Sequence, residues 1–391
     1  MNITNSLKFG FLATILIFLL AACTPAAPTP EPAPPAPTPA PTAPTTEPAP
    51  DAVTGTIGII LPTLDEPRWI QDADRFEAAF AGTDFETVVL FSQNDPGQEL
   101  TNTQNLIIQG VDVIVLTAVD SVAAAASVEA AAAAGIPVIA YDRLITGTDA
   151  LSYYVTFDSI RVGETMGHFL VNNASGEGNP LYLYAGALAD NNSFLFFAGA
   201  WNILQPYIAN GTFTIANSSE AAALADYADL SQPQLASIIG QVTTNWMPAD
   251  AVNLAQANLV AAGSENKGDV FVLAPNDGTA FAIANTFLAD PEVTSLFITG
   301  QDAEIPSVQA ILDGIQSMTV FKDVRDLADD AIYVATAILS GTSPQTNGYF
   351  DNGVFQVPSL LTEVHEVTID NLQEVLIDSG FLSADLFTFP E

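Results

Sequence analysis

Thr56-Ile57-Gly58-Ile59-Ile60-Leu61, the turn Pro62-Thr63-Leu64-Asp65-Glu66 and then Pro67-Arg68-Trp69 form the stretch whose reading decides the fold. A short apolar, β-branched run bounded by turn residues reads as a buried strand. Proline at the head of the next segment, which extends to Phe80, opens a helix. The unit then repeats: residues 87–91, 111–116 and 136–141 are further strand-like runs, and helix-length segments such as 122–134 lie between them. Strands alternating with helices specify right-handed βαβ crossovers and a parallel sheet covered on both faces.

A second series starts near Ser159, with helices over 160–171 and 194–207 and strands over 181–185 and 213–216. Residues 218–246 read as irregular. The alternation resumes with helices over 249–262 and 279–288 and strands over 270–274 and 295–299. The fold class is therefore α/β, with two doubly wound parallel-sheet lobes. Chain length agrees, because the roughly 340 residues from Val53 onward exceed what one hydrophobic core usually supports.

The N-terminus reads as a lipoprotein signal: Lys8, an apolar run to Leu20, then Leu20-Ala21-Ala22-Cys23 with the only cysteine of the chain. Residues 1–22 would be removed and Cys23 acylated. Residues 24–51 are rich in Pro, Ala and Thr, which favours an extended spacer between lipid and body. No other stretch is long and apolar enough to span a bilayer. The balance of 45 acidic against 8 basic residues, a formal charge of −37, argues against nucleic acid and anionic membrane surfaces and for a soluble monomer.

Ligands of doubly wound folds bind beyond the carboxyl ends of the strands. There the sequence places Asp65-Glu66-Pro67-Arg68-Trp69, Asp142-Arg143, Asp190-Asn191-Asn192, Asn276-Asp277, Gln301-Asp302 and Lys322. Carboxylates, amides and cations converging with aromatic rings suit a neutral polyol, whose hydroxyls both donate and accept while its C–H faces pack on rings. Asp190 and Asn276 also fit a simpler role as helix caps. The cations say more: apart from Lys8 the chain has seven, and Arg68, Arg143 and Lys322 all fall at strand ends.

From about Gly55 to Asp385 the chain resembles the type I periplasmic sugar-binding proteins of ABC transporters, within them the xylose-binding and multiple-sugar-binding receptors. The likeness rests on Pro67-Arg68-Trp69, Gly110-Val111-Asp112-Val113, the segment from Ala140 to Ile145, Asp190-Asn191-Asn192, the segment from Gly300 to Glu304, and Val320-Phe321-Lys322-Asp323. The resemblance implies that Arg68, Asp142, Arg143, Asn192, Asp302 and Lys322 hydrogen-bond a monosaccharide of the xylose, glucose, galactose or arabinose type. It adds Asp190 and Asn276 from the second lobe, and sets Trp69 and Trp246 against the two faces of the sugar ring. It also implies three hinge strands, near Phe157 and Asp158, at Val320 to Lys322 and near Val354 to Pro358. Residues 53–158 and 321–356 then form the first lobe, and 159–320 and 357–391 the second. The implied partners are the permease subunits of an ABC importer, or alternatively a membrane kinase or chemoreceptor that senses the loaded protein.

An enzyme fits less well. The turn after the first strand has no glycine for a Rossmann phosphate site, His168 and His365 stand apart, and no His/Cys/carboxylate cluster has metal spacing, so neither cofactor nor metal is expected. Asp142 and Asp302 are the carboxylates a glycosidase would use, but neighbouring cations would depress the general acid.

Overall fold

Strand β1 (Gly55–Leu61) is buried along most of its length and begins the first lobe. The computed structural model describes residues 53–81 and 83–390; the signal, Cys23 and the linker lie outside them. Helix α1 (Pro67–Phe80) follows, with proline in its first turn and one face carrying Arg68, Trp69, Asp72, Phe76 and Phe80 into the interior. Then come β2 (Phe85–Phe91), α2 (Pro96–Gln109), β3 (Val113–Leu116), α3 (Ala125–Ala133), β4 (Val138–Tyr141) and β5 (Tyr153–Phe157). Helix α2 shows how local sequence sets the boundaries. The Asp95 side chain caps its start, and Gly110 ends it at φ +77, in the left-handed region.

The chain crosses to the second lobe after Phe157. There it forms α4 (Ser159–Asn173), β6 (Asn179–Leu183), α5 (Asn191–Ala209), β7 (Phe213–Ile215), α6 (Ser219–Ala223), α7 (Gln232–Val242), α8 (Pro248–Ala261), β8 (Gly268–Leu273), α9 (Asp277–Leu288), β9 (Val293–Ile298), α10 (Ile305–Leu312) and β10 (Met318–Lys322). Helices α4 and α5 approach so closely that a Cβ on Gly163 would strike the Phe196 carbonyl, and one on Gly199 the Ile160 carbonyl. Helix α11 (Val324–Leu339) returns to the first lobe, followed by β11 (Gly348–Asp351), β12 (Gln356–Thr362) and β13 (Val364–Thr368).

The first sheet has the order β11-β12-β5-β4-β3-β1-β2, parallel apart from the antiparallel edge strand β11. The second runs β7-β6-β8-β9, all parallel. A bridge from Gln301 to Val320 attaches the antiparallel pair β10-β13 beside it. In both sheets the first strand of the series sits inside the second, which creates a switch point where the strand ends open into a crevice.

Two expectations change. Residues 218–246 are not irregular: α6 and α7 lie there, with Leu235, Ile238, Ile239 and Val242 packed into the second lobe. The third crossing is not at Val354 to Pro358, nor does the second lobe resume at 357. Ser359 to Thr362 pair with Tyr154 to Phe157 in the first sheet, and the chain leaves only at Glu363, before Val364 pairs with Lys322. Alternation alone does not reveal this, because β12 and β13 form one nearly continuous extended run. The tail beyond packs against both lobes, since Leu372, Leu376 and Phe381 join a cluster that holds β1, α1 and α11 together with Val308 and Ile311 of α10.

Candidate functional site

The ten residues singled out from the sequence come together. Arg68, Trp69, Asp142, Arg143, Asp190, Asn192, Trp246, Asn276, Asp302 and Lys322 line one cavity at the facing strand ends of the two lobes. Glu66, Phe196 and Gln301 line it as well. The sequence held signals for these three: Glu66 and Gln301 adjoin chosen residues, and Phe196 stands four residues after Asn192 on α5, on the same helical face.

Arg68 is the hub on the first-lobe side. Its guanidinium pairs with Asp72 one turn along α1, with Asp142 at 2.8 Å and with Asp302 at 3.3 Å. Tyr141 donates to Asp72 at 2.5 Å and fixes that carboxylate from behind. Arg143 pairs with Asp190 at 2.9 Å and reaches Glu66 at 3.9 Å. Both guanidinium groups stand over Trp69, Arg143 at 4.9 Å and Arg68 at 5.1 Å from the ring centre. Such contacts orient planar cations and leave their remaining N–H groups aimed at what enters the cavity. Lys322, 4% exposed, pairs with Asp302 at 2.8 Å between the rings of Phe157 and Phe196.

Asp142 is held in a conformation that costs energy. Its φ is +61, rare for a residue other than glycine, yet its carbonyl accepts from Tyr154 Oη (2.8 Å), Thr156 Oγ1 (2.9 Å) and Asn192 Nδ2 (3.1 Å). Asn245, Trp246, Asp302 and Ala303 are also left-handed. Such strain persists only where surrounding contacts over-determine it, and it gathers at functional sites.

Several of these contacts span the two lobes: Arg68 with Asp302, Arg143 with Asp190, and Asn192 Nδ2 with Asp142 Oδ1 at 3.0 Å. At the rim, Ser121 N donates to the Ala189 carbonyl at 2.8 Å and Asn191 N to Ser121 Oγ at 3.0 Å. Asp190 combines the two roles its sequence position allowed, capping α5 through Asn192 N at 2.9 Å while it pairs with Arg143. Asn276 precedes α9, but its side chain accepts from the Thr279 hydroxyl and not from the helix backbone.

Burial and charge compete across the cavity. Burial pushes Asp142 upward, but Arg68, Lys322 and Arg143 outweigh it and hold the carboxyl below its usual value. Burial wins at Glu66, Asp72 and Asp190, which titrate above theirs despite the adjacent arginines. Deeper in the second lobe, Asp277 accepts from Gln316 Nε2 (2.7 Å), Thr319 Oγ1 (3.0 Å) and Glu304 N (3.0 Å). Burial, with Asp302 nearby, lifts it to about 8; burial beside Asp277 and Asp302 lifts Glu304 to about 9. Among the described residues no group of His, Cys and carboxylates could hold a metal ion.

Two parallel-sheet lobes, joined by three crossings and presenting polar and aromatic side chains to a shared cavity, define a protein that holds a small solute between hinged halves. The chain belongs to the periplasmic binding proteins. The family's periplasmic binding protein domain matches residues 57–343. The chain is 32% identical to the multiple sugar-binding periplasmic receptor ChvE of Rhizobium radiobacter, over 85% of this chain and 92% of that one. It is 29% identical to the D-xylose-binding periplasmic protein of Escherichia coli, over 83% and 90%. Among solved structures it is similar to a carbohydrate transporter solute binding protein from Chloroflexus aurantiacus in complex with D-glucose. That match has 56% identity and a TM-score of 0.85, covering 86% of this chain and 98% of the other. The family is extracytoplasmic, and among the described residues no helix is long and apolar enough to cross a membrane.

Proposed function

We propose that this protein binds a free monosaccharide aldose in the interlobe cavity and delivers it, unchanged, to an ABC importer, while a lipid on Cys23 tethers it outside the cytoplasmic membrane. One observation carries the reading: the cavity pairs indole rings and ionic groups from both lobes with amides from the second, and a relative 56% identical was solved holding D-glucose. Each sugar hydroxyl donates once and accepts twice, and this mixture of fixed donors and acceptors meets both demands. Residues on the two walls contact one ligand only when the lobes are together, so the sugar favours the closed form. Closure is then the signal a permease reads.

The same electrostatics speak against Asp142 or Asp302 as the general acid of a glycosidase. A general acid needs a carboxyl that keeps its proton near neutral pH, whereas Asp142 is held below the ordinary range and both Asp142 and Asp302 pair with Arg68. The test is a calorimetric titration with xylose, glucose, galactose and arabinose, beside incubation with aryl glycosides followed by chromatography. Saturable binding of at least one aldose with no product is expected. Turnover that disappears in Asp302→Asn would reassign the protein as an enzyme, and binding of none of the sugars would remove the proposal.

A further inference from the structure

Gly186 lies in the loop after β6 and does not line the sugar cavity. It lines a tightly packed, mostly apolar space with Phe197, Leu273 and Pro275, and Trp246 is a wall of both spaces. The indole is therefore a partition, with the sugar cavity in front and Gly186 behind.

A Cβ built on Gly186 would overlap three ring atoms of Trp246, Cζ2, Cη2 and Cε2, far inside van der Waals contact. Neither backbone can yield to relieve that overlap. Ala185 N donates to the Val242 carbonyl at 3.0 Å, Thr244 N to the Ala185 carbonyl at 2.8 Å, and Thr243 Oγ1 to the Gly186 carbonyl at 2.7 Å. Trp246 itself is left-handed, at φ +63, in a turn closed by Met247 N on the Thr244 carbonyl at 2.8 Å. Its indole N–H is buried without an acceptor among the described residues, so packing sets the ring's position and no hydrogen bond does. Phe196 blocks one flank, edge-on at 6.2 Å between ring centres. A methyl group on Gly186 would thus be relieved by the ring swinging forward, into the sugar cavity.

We infer that Gly186 is the size-setting residue of this site: by having no side chain it lets Trp246 stand back, which makes room for a hexose with its additional hydroxymethyl group as well as for a pentose. The inference rests on the proposed monosaccharide site and assigns its size limit to a residue outside the lining. Wild type, Gly186→Ala and the double variant Gly186→Ala/Trp246→Leu are titrated with D-glucose and D-xylose, and each sugar-free protein is melted. Gly186→Ala should lose affinity for glucose by about tenfold more than for xylose, the scale of one misplaced carbon in a pocket. The double variant, whose shorter side chain clears the methyl, should bring the glucose-to-xylose ratio back toward wild type. An unchanged ratio in Gly186→Ala overturns the inference. If that variant fails to fold, a double variant that folds with the wild-type ratio supports the steric argument, and one that also fails to fold overturns it. Wild type binding neither sugar would instead be the failure of the proposed function, and the inference would fall with it.

Discussion

Replacing Asp302 by asparagine removes one charge from the cavity with almost no change in side-chain size. Asp302 is 7% exposed, and its Oδ1 is engaged by Lys322 at 2.8 Å and Arg68 at 3.3 Å. Among the described residues no protein donor reaches Oδ2, so in the proposed site that oxygen is the one offered to a sugar hydroxyl. A hydrogen bond to a charged group contributes about 1.5–3 kcal/mol, and losing it corresponds to roughly ten- to hundred-fold in affinity. Stability should fall too, because unpairing a buried ion costs about 3–5 kcal/mol. Here the loss should stay near or below about 3 kcal/mol, since Lys322 also acts on Asp142 and Asp190. The two effects separate in a melting experiment run with and without glucose. Sugar at about a thousand times the wild-type Kd stabilises wild type by about 4.1 kcal/mol, and the same concentration should stabilise Asp302→Asn by only about 1.4–2.7 kcal/mol. A variant that melts earlier yet gains as much from sugar as wild type would show Asp302 to be a structural ion-pair partner only, and would refute the reasoning.

Stability should also depend on pH through the buried carboxyls behind the site. Glu304, lifted to about 9 by burial beside Asp277 and Asp302, keeps its proton in the folded protein and ionises near its ordinary value of 4.5 once unfolded. Folding takes up a proton between those values, so this contribution is complete below about pH 4.5 and disappears as the pH rises through about 9. Glu304→Gln should flatten the decline in melting temperature from about pH 5 to about pH 9; a slope equal to wild type would sink the assignment. At the other end of the chain, Cys23→Ser should move the protein from the detergent phase to the aqueous phase, and identical partitioning of the two proteins would remove the lipid tether.

The strand and helix series was legible because its signal is local. A buried parallel strand such as β1 must be apolar almost throughout, and α1 must carry its apolar face at helical spacing behind a proline start, so each announces itself within a dozen residues. The strand-end rule then pointed to the residues that line the cavity, since a doubly wound sheet leaves its crevice at the carboxyl ends whatever its sequence. The charge of −37 likewise fixed the character of the surface from composition alone.

What the sequence could not reveal depends on partners far apart in the chain. Whether 356–362 belongs to the first lobe is decided by pairing with Tyr154 to Phe157, some two hundred residues earlier, and nothing local in 354–358 marks the difference. Arg143 and Asp190 were legible as candidates, but that they pair across the lobes, and that Asp142 tolerates a left-handed backbone because three donors meet on its carbonyl, are consequences of packing. Gly186 is the sharpest case. In the sequence it is one glycine in a loop, and its role arises only when Thr243 and Thr244 tie the Trp246 turn against it. Local sequence specifies the elements and the chemical groups at their ends, because backbone hydrogen bonding and burial repeat with short periods. The distances between those groups, and hence their protonation and the room they leave for a ligand, are set by long-range contacts that only the folded chain possesses.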